Sequence, residues 1–242
     1  MKISHYLAMT AAEIGAEKDI PHPLAYMACH FSPYGTGLSN IPTELPPGSM
    51  LILNDRTPIS GHDSGLIAAQ LIRAAEQLRC SCILLDFERP DSNQTAALCS
   101  TLAEALPLPL GVSCLYAKEL SCPVFLPAPP LDLPLSEYLA PWQGREVWLE
   151  AALDAACITV TDKGSTIAPL PYSPPPGDAF QDDSLHCRYR AEVLEKEIRF
   201  HFWRDREHLD ALLEEASDLG IGTAVSLYQQ LQPIPAKKLP VE

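Results

Sequence analysis

Basic side chains are scarce in this chain: 17 Lys and Arg stand against 31 Asp and Glu, a formal net charge of −14 over 242 residues. A nucleic-acid surface needs clustered cations to displace the counterions of a phosphate backbone, so this balance excludes one. Long apolar runs are lacking too. No window reaches about 18 consecutive apolar residues, the length that spans a membrane. Near the N-terminus, Lys2, His5 and Glu13 surround a short apolar patch without the pattern of a secretory leader. The expectation is a soluble, cytoplasmic protein with neither nucleic acid nor membrane as partner.

Several catalytic signatures are missing as well. His30, His62, His186, His201 and His208 show no H-E-x-x-H or equivalent spacing, which leaves no metal site. Ser113 and Ser226 lack the G-x-S-x-G context of a serine hydrolase. Gly35-Thr36-Gly37 is too short for a dinucleotide loop and is not followed by a helix. The eight cysteines, at 29, 80, 82, 99, 114, 122, 157 and 187, form no pair of C-x-x-C units. They read as small buried hydrophobes with free thiols, and Cys80 and Cys82 would share one strand face. No cofactor is expected.

What is present is apolar content, 47%, enough for one substantial core across a single domain of residues 1–242. The 24 prolines mark where elements stop. Apolar residues recur at helical spacing through Leu66, Ile67, Leu71, Ala74, Ala75 and Leu78, with Ser60 or Asp63 as N-cap. A second helix runs to Ala105 from a cap at Asp91 or Ser92. A third spans 205–219 and ends at Gly220. Short apolar runs alternate with these helices at about 3–9, 24–31, 49–54, 82–88, 110–116, 122–126, 146–153 and 222–227. Such alternation predicts parallel β/α units: an α/β fold, specifically a compact (β/α)8 TIM-like barrel. Between the seventh and eighth strands, at about 155–204, the rhythm changes to two hairpins, turning at Asp162-Lys163-Gly164 and at Glu195-Lys196-Glu197. This is read as an antiparallel insert.

One stretch carries the chemistry: Cys82-Ile83-Leu84-Leu85-Asp86-Phe87-Glu88-Arg89-Pro90. Strand side chains two apart share a face, so Leu84, Asp86 and Glu88 point one way while Leu85 and Phe87 point the other. Two carboxylates then stand together at the C-terminal end of a barrel strand, where catalytic groups of such barrels collect. Like charges this close push one carboxyl toward the protonated form that a general acid needs. The alternative is a solvated pair, or one neutralised by Arg89. Asn54, Asp55 and Arg56 would lie on the same rim one strand earlier, as binding groups or as a turn.

This stretch resembles the fourth-strand signature of family 18 glycoside hydrolases (chitinases and related N-acetylglucosaminidases), Asp-Gly-apolar-Asp-apolar-Asp-aromatic-Glu. The end of the chain is similar to that family as well: Phe200-His201-Phe202-Trp203-Arg204-Asp205, then a helix, then Gly220-Ile221-Gly222 into a last strand. The resemblance implies that Glu88 is the general acid. It also implies that Asp86 orients the substrate's N-acetyl group as that group attacks the anomeric carbon, a retaining route that needs no protein nucleophile. An oligosaccharide containing N-acetylhexosamine is the implied partner. The chain departs from the family pattern at Ser81, Cys82 and Leu84, which replace its first Asp, its Gly and its middle Asp. It departs again at Val124-Phe125-Leu126, where the family has a Tyr-Asp pair, and at Leu227-Tyr228-Gln229, where it has a tryptophan. Tyr116 and Tyr228 are candidates to bind sugar in their place, with Gln229, Asn54 and Asp55; a phenol can both stack and hydrogen-bond. The other reading of both tyrosines is that they cover the barrel rim. Function is read accordingly as a glycoside hydrolase with weak or lost activity. The alternative is an inactive chitinase-like barrel that binds a glycan or a protein.

Overall fold

A computed structural model describes residues 2–17, 19–20, 23–35, 37–59, 61, 63–89 and 93–232. Eight strands close a parallel barrel in the order β1 (Ser4–Met9), β2 (Leu24–Phe31), β4 (Met50–Asn54), β5 (Cys82–Asp86), β6 (Leu110–Ser113), β7 (Val124–Leu126), β8 (Val147–Glu150) and β14 (Thr223–Leu227). Closure comes from β1, which pairs in parallel with both β14 and β2. A two-residue strand, β3 (Leu38–Ser39), adds antiparallel to β2. These eight are the strands expected from the apolar runs, several of them shorter at the C-terminal end.

The strands are apolar on both faces because both are covered. Inside the barrel lie Tyr6, Ala8, Ala25, Met50, Ile52, Cys82, Leu84, Phe125, Trp148 and Val225. Their alternates, such as Leu51, Leu53, Ile83, Leu85 and Leu149, pack outward into a separate core beneath the helices. Cys80 belongs to that outer core and Cys82 to the interior, so the two do not share a face as expected. Arg79 turns the chain at φ 54° before β5 begins at Cys82, and Cys80 therefore precedes the strand. All eight thiols are free.

Three full helices cover the outside. In α2 (Ser64–Gln77) the buried set is Ile67, Ala68, Leu71, Ala74 and Ala75, and the Asp63 carboxylate caps its start by accepting from the Leu66 amide at 2.9 Å. Next, α3 (Asn93–Ala105) buries Leu98, Cys99 and Leu102; the caps read at Asp91 or Ser92, like Ser60, fall outside the described residues. The third, α5 (Arg206–Asp218), ends where Gly220 takes φ 89° and the Ile221 amide reaches back to the Ala216 carbonyl at 2.9 Å, satisfying a carbonyl the helix leaves open. Shorter helices are α1 (Ala11–Ala16), opened by a Thr10–Glu13 capping box, α4 (Leu135–Leu139) and α6 (Tyr228–Leu231). No described helix is long and apolar enough to cross a membrane.

Gly111 on β6 is set by packing. A Cβ there would lie 2.3 Å from Cε3 of Trp148, so only glycine lets the indole lie across the barrel interior. Gly111→Ala forces either the ring or the strand aside, and overpacking of this kind costs about 1–3 kcal/mol. A urea melt of the variant should show that loss. An unchanged midpoint would mean that the ring relaxes freely.

Between β8 and α5, five strands form one antiparallel sheet in the order β10 (Gly164–Leu170), β9 (Asp154–Thr161), β13 (Ile198–Arg204), β12 (Cys187–Val193), β11 (Phe180–Asp182). Sequence periodicity shows two hairpins, β9–β10 and β12–β13. Their union depends on β13 pairing with β9, Phe200 opposite Ile158, which is a contact between distant segments. Arg204 at the end of β13 is 1% exposed. It donates to the Pro129 carbonyl at 2.9 Å and, at 3.4 and 3.5 Å, to those of His186 and Leu185. One guanidinium thus joins the sheet to the proline-rich loop after β7.

Candidate active site

Asp86 is the last residue of β5, and the alternation of the strand continues past it. Leu85 and Phe87 belong to the outer core, whereas Leu84, Asp86 and Glu88 line one cavity at the barrel mouth. Two contacts shape the chain there. Ser113, at the end of β6, accepts from the Phe87 amide at 2.9 Å and donates its hydroxyl to the Leu85 carbonyl at 3.0 Å. Asp55, 8% exposed, accepts from the amides of Glu88 and Arg89 at 3.2 and 2.8 Å. Its carboxylate is therefore a backbone clamp that aims Glu88.

Two cavities meet at this point. The inner one, about 60 Å³, is lined by Leu84, Asp86, Glu88, Phe125 and Glu150 with residues of β1, β2, β4 and β14. The outer one, about 600 Å³, extends over Thr10, Met27, His30, Asn40, Asn54, Asp55, Arg56 and Arg89, and shares Met27, Asp86 and Glu88 with the first. A register shift in β2 between Tyr26 and Cys29 helps form this wall. Bulges of this kind re-aim side chains near functional sites. The Met27 carbonyl at the shift accepts from Asn54 Nδ2 at 2.9 Å.

Burial, reinforced by the charges of Glu88, Glu150 and Asp55, pushes the Asp86 carboxyl up to about 7. Glu150, at the end of β8, is also raised, mainly by burial, although its Oε2 accepts from the Ala128 amide at 3.3 Å. Between the ordinary value of 3.8 and about 7, the folded protein holds a proton on Asp86 that the unfolded chain has released. Stability is therefore lost as pH rises through that window. Asp86→Asn removes the ionisation and should melt higher than the parent at pH 8, with the advantage gone near pH 4. The ceiling is about 4 kcal/mol, at roughly 2–4 °C per kcal/mol for a chain of this length. A melting difference that is the same at both pH values would overturn the assignment.

The other candidates divide. Asn54 and Asp55 line the outer cavity, but much of their polar capacity is used internally: Asn54 Oδ1 accepts from the Arg56 amide, and Asp55 clamps Glu88. Tyr116 lines neither cavity. It is 8% exposed in the outer core, edge-on to Phe87, with its hydroxyl donated to the Arg89 carbonyl at 2.8 Å. Ser113 ends β6, and the chain turns back there, the Tyr116 amide donating to the Ser113 carbonyl, which carries the ring away from the mouth. Tyr228 and Gln229 open α6 and also line neither cavity; Tyr228 is half-buried and Gln229 is exposed. Among the described residues no group of three or more His, Cys, Asp or Glu is placed to hold a metal ion.

Glu150 is the residue that sequence reasoning missed. The signal was its position: the last residue of an apolar strand, two beyond inward-facing Trp148, as Asp86 is two beyond Leu84.

No protein-family model matches the chain, and no curated protein matches it significantly. Solved structures do. The Bacillus cereus spore cortex-lytic enzyme SleL aligns over 97% of this chain and 72% of its own at 13% identity, with a TM-score of 0.56. A chitinase from Chromobacterium violaceum aligns over 95% of both chains at 9% identity and a TM-score of 0.52. A GH18 chitinase from Cycas revoluta, solved with (GlcNAc)3, covers 94% of this chain and 95% of its own at 12% identity and a TM-score of 0.52. The fold of this chain is similar to the barrel of these chitinases and of the cortex-lytic enzyme.

Proposed function

We propose that the mouth of this barrel binds a glycan containing N-acetylhexosamine and cleaves it by a substrate-assisted, retaining route. The observation that carries the proposal is the pairing of cavities around Asp86 and Glu88. The outer space of about 600 Å³ is within the range of small-ligand sites. The inner one, about 60 Å³, is much smaller and is lined by Asp86, Glu88 and Glu150. With the acetamido group placed against Asp86, its oxygen attacks the anomeric carbon while Glu88 gives its proton to the departing glycosidic oxygen. Glu88 then takes a proton from the water that opens the cyclic intermediate. The solved neighbours named for chitinase and cortex-lytic activity make such glycans the first to try.

A second reading has its own observation. At the end of β7, Val124, Phe125 and Leu126 are all buried and apolar, so that wall offers no side-chain polar group to an acetamido oxygen. A barrel that binds glycan without turnover fits this wall. Turnover of an unmodified N-acetylglucosamine oligomer and of peptidoglycan fragments, whose sugar leaving groups need a proton, by the parent and by Glu88→Gln separates the two. Equal rates in both proteins sink the acid role of Glu88. Tight oligosaccharide binding with no turnover selects the second reading.

A further inference from the structure

Glu150 belongs to no signature, and its place in the barrel is unusual. On β8, Val147 and Leu149 pack outward and Trp148 inward, so Glu150 is the next inward position and the top of the interior stack. On β5, apolar Leu84 occupies the inward position below Asp86. Asp86 and Glu150 thus face the same small cavity from two different strands. Among the described residues neither forms an ion pair; the arginines at the mouth, Arg56 and Arg89, line only the outer cavity. Two partly buried carboxyls without a cation avoid the cost of two charges by keeping a proton between them.

We propose that Glu150 is the charge partner of Asp86, supplying a second inward carboxyl from β8, so that the two share one proton near neutral pH. The proposal deepens the hydrolase reading, since a shared proton lets Asp86 change its charge as an acetamido group arrives without leaving an isolated anion in the mouth. The other ionisable groups facing the pair are Glu88 on the same edge, Asp55 after β4, Asp154 at the start of β9, Tyr138 on α4, and His30, Arg56 and Arg89 on the outer wall. The charge of Glu150 helps raise Asp86, after burial and the charge of Glu88, while Glu150 is itself raised by burial and by the charges of Asp154 and Glu88.

Carbon-13 NMR titration of the side-chain carboxyls tests this without any substrate. In Glu150→Gln the Asp86 midpoint should fall by about one unit, because a neighbouring negative charge is gone. In Glu150→Asp, which keeps the charge, it should stay near the parent value. An Asp86 midpoint unmoved in a folded Glu150→Gln overturns the proposal. Should that variant fail to fold, Asp86→Asn gives the reciprocal measurement: the Glu150 midpoint must fall, and an unmoved one is equally fatal. If the parent turns over glycan, the pH limb of kcat/KM set by Asp86 should move with its midpoint in Glu150→Gln while KM changes little. If the parent turns over no glycan, the hydrolase reading fails on its own, and the titrations still decide the coupling.

Discussion

Replacing Glu88 by Gln should lower kcat on an N-acetylglucosamine oligomer about 10²–10⁴-fold, the usual contribution of a positioned general acid. The amide keeps the size of the side chain and part of its hydrogen bonding, so KM should change little; a loss confined to kcat marks an interaction made only in the transition state. Leaving-group chemistry gives the prediction its sharpest form. A nitrophenolate departs without much help from an acid, whereas a sugar alkoxide must be protonated as the bond breaks. The defect should therefore be large on the oligosaccharide and small on the nitrophenyl glycoside. A uniform loss on both substrates would point to damaged geometry, through the Asp55 clamp on the Glu88 and Arg89 amides, rather than to a missing proton donor.

Arg204→Met should destabilise the protein by about 3–5 kcal/mol, read as a lower urea midpoint. The side chain is almost wholly buried, and it serves the carbonyls of Pro129, Leu185 and His186 while lying 4.0 Å from Asp154. Replacing both members of a buried ion pair by apolar groups can be neutral, but removing one member leaves polar atoms without partners. The partners here are chiefly carbonyls, at about 1–3 kcal/mol for each buried group left unsatisfied. Asp154 is 41% exposed and can turn to water, so it adds less. Arg204→Lys should recover only part of the loss, because one ammonium cannot reproduce a planar fork aimed at carbonyls of two separate loops. A Met variant as stable as the parent would show that those loops rehydrate freely.

The interior of β5 was legible residue by residue. A period of two places Leu84, Asp86 and Glu88 on one face, and the structure keeps that order even where the strand's pairing stops at Asp86. The helices were equally plain, since the buried stripes of α2 and α5 repeat every three to four residues within one continuous segment. The tyrosines were not. Nothing local distinguishes a ring on the barrel mouth from one turned down into the helix layer, and Tyr116 takes the second course because its hydroxyl finds the Arg89 carbonyl there.

What the amino-acid order determined by itself, then, is everything carried by short-range periodicity: eight parallel strands, their helices, two hairpins and the Asp86–Glu88 pair. Tertiary structure decided which groups from separate segments meet. Only closure of the barrel brings Glu150 on β8 to the cavity of Asp86 on β5, and only the β9–β13 pairing turns two hairpins into one sheet. The physical reason is the range of the forces. Side-chain alternation is dictated by backbone geometry within a few residues, and so is the charge of Glu88 beside Asp86; the burial that chiefly lifts the Asp86 carboxyl, and the added charges of Glu150 and Asp55, come from other strands, which chain order does not encode as a local pattern.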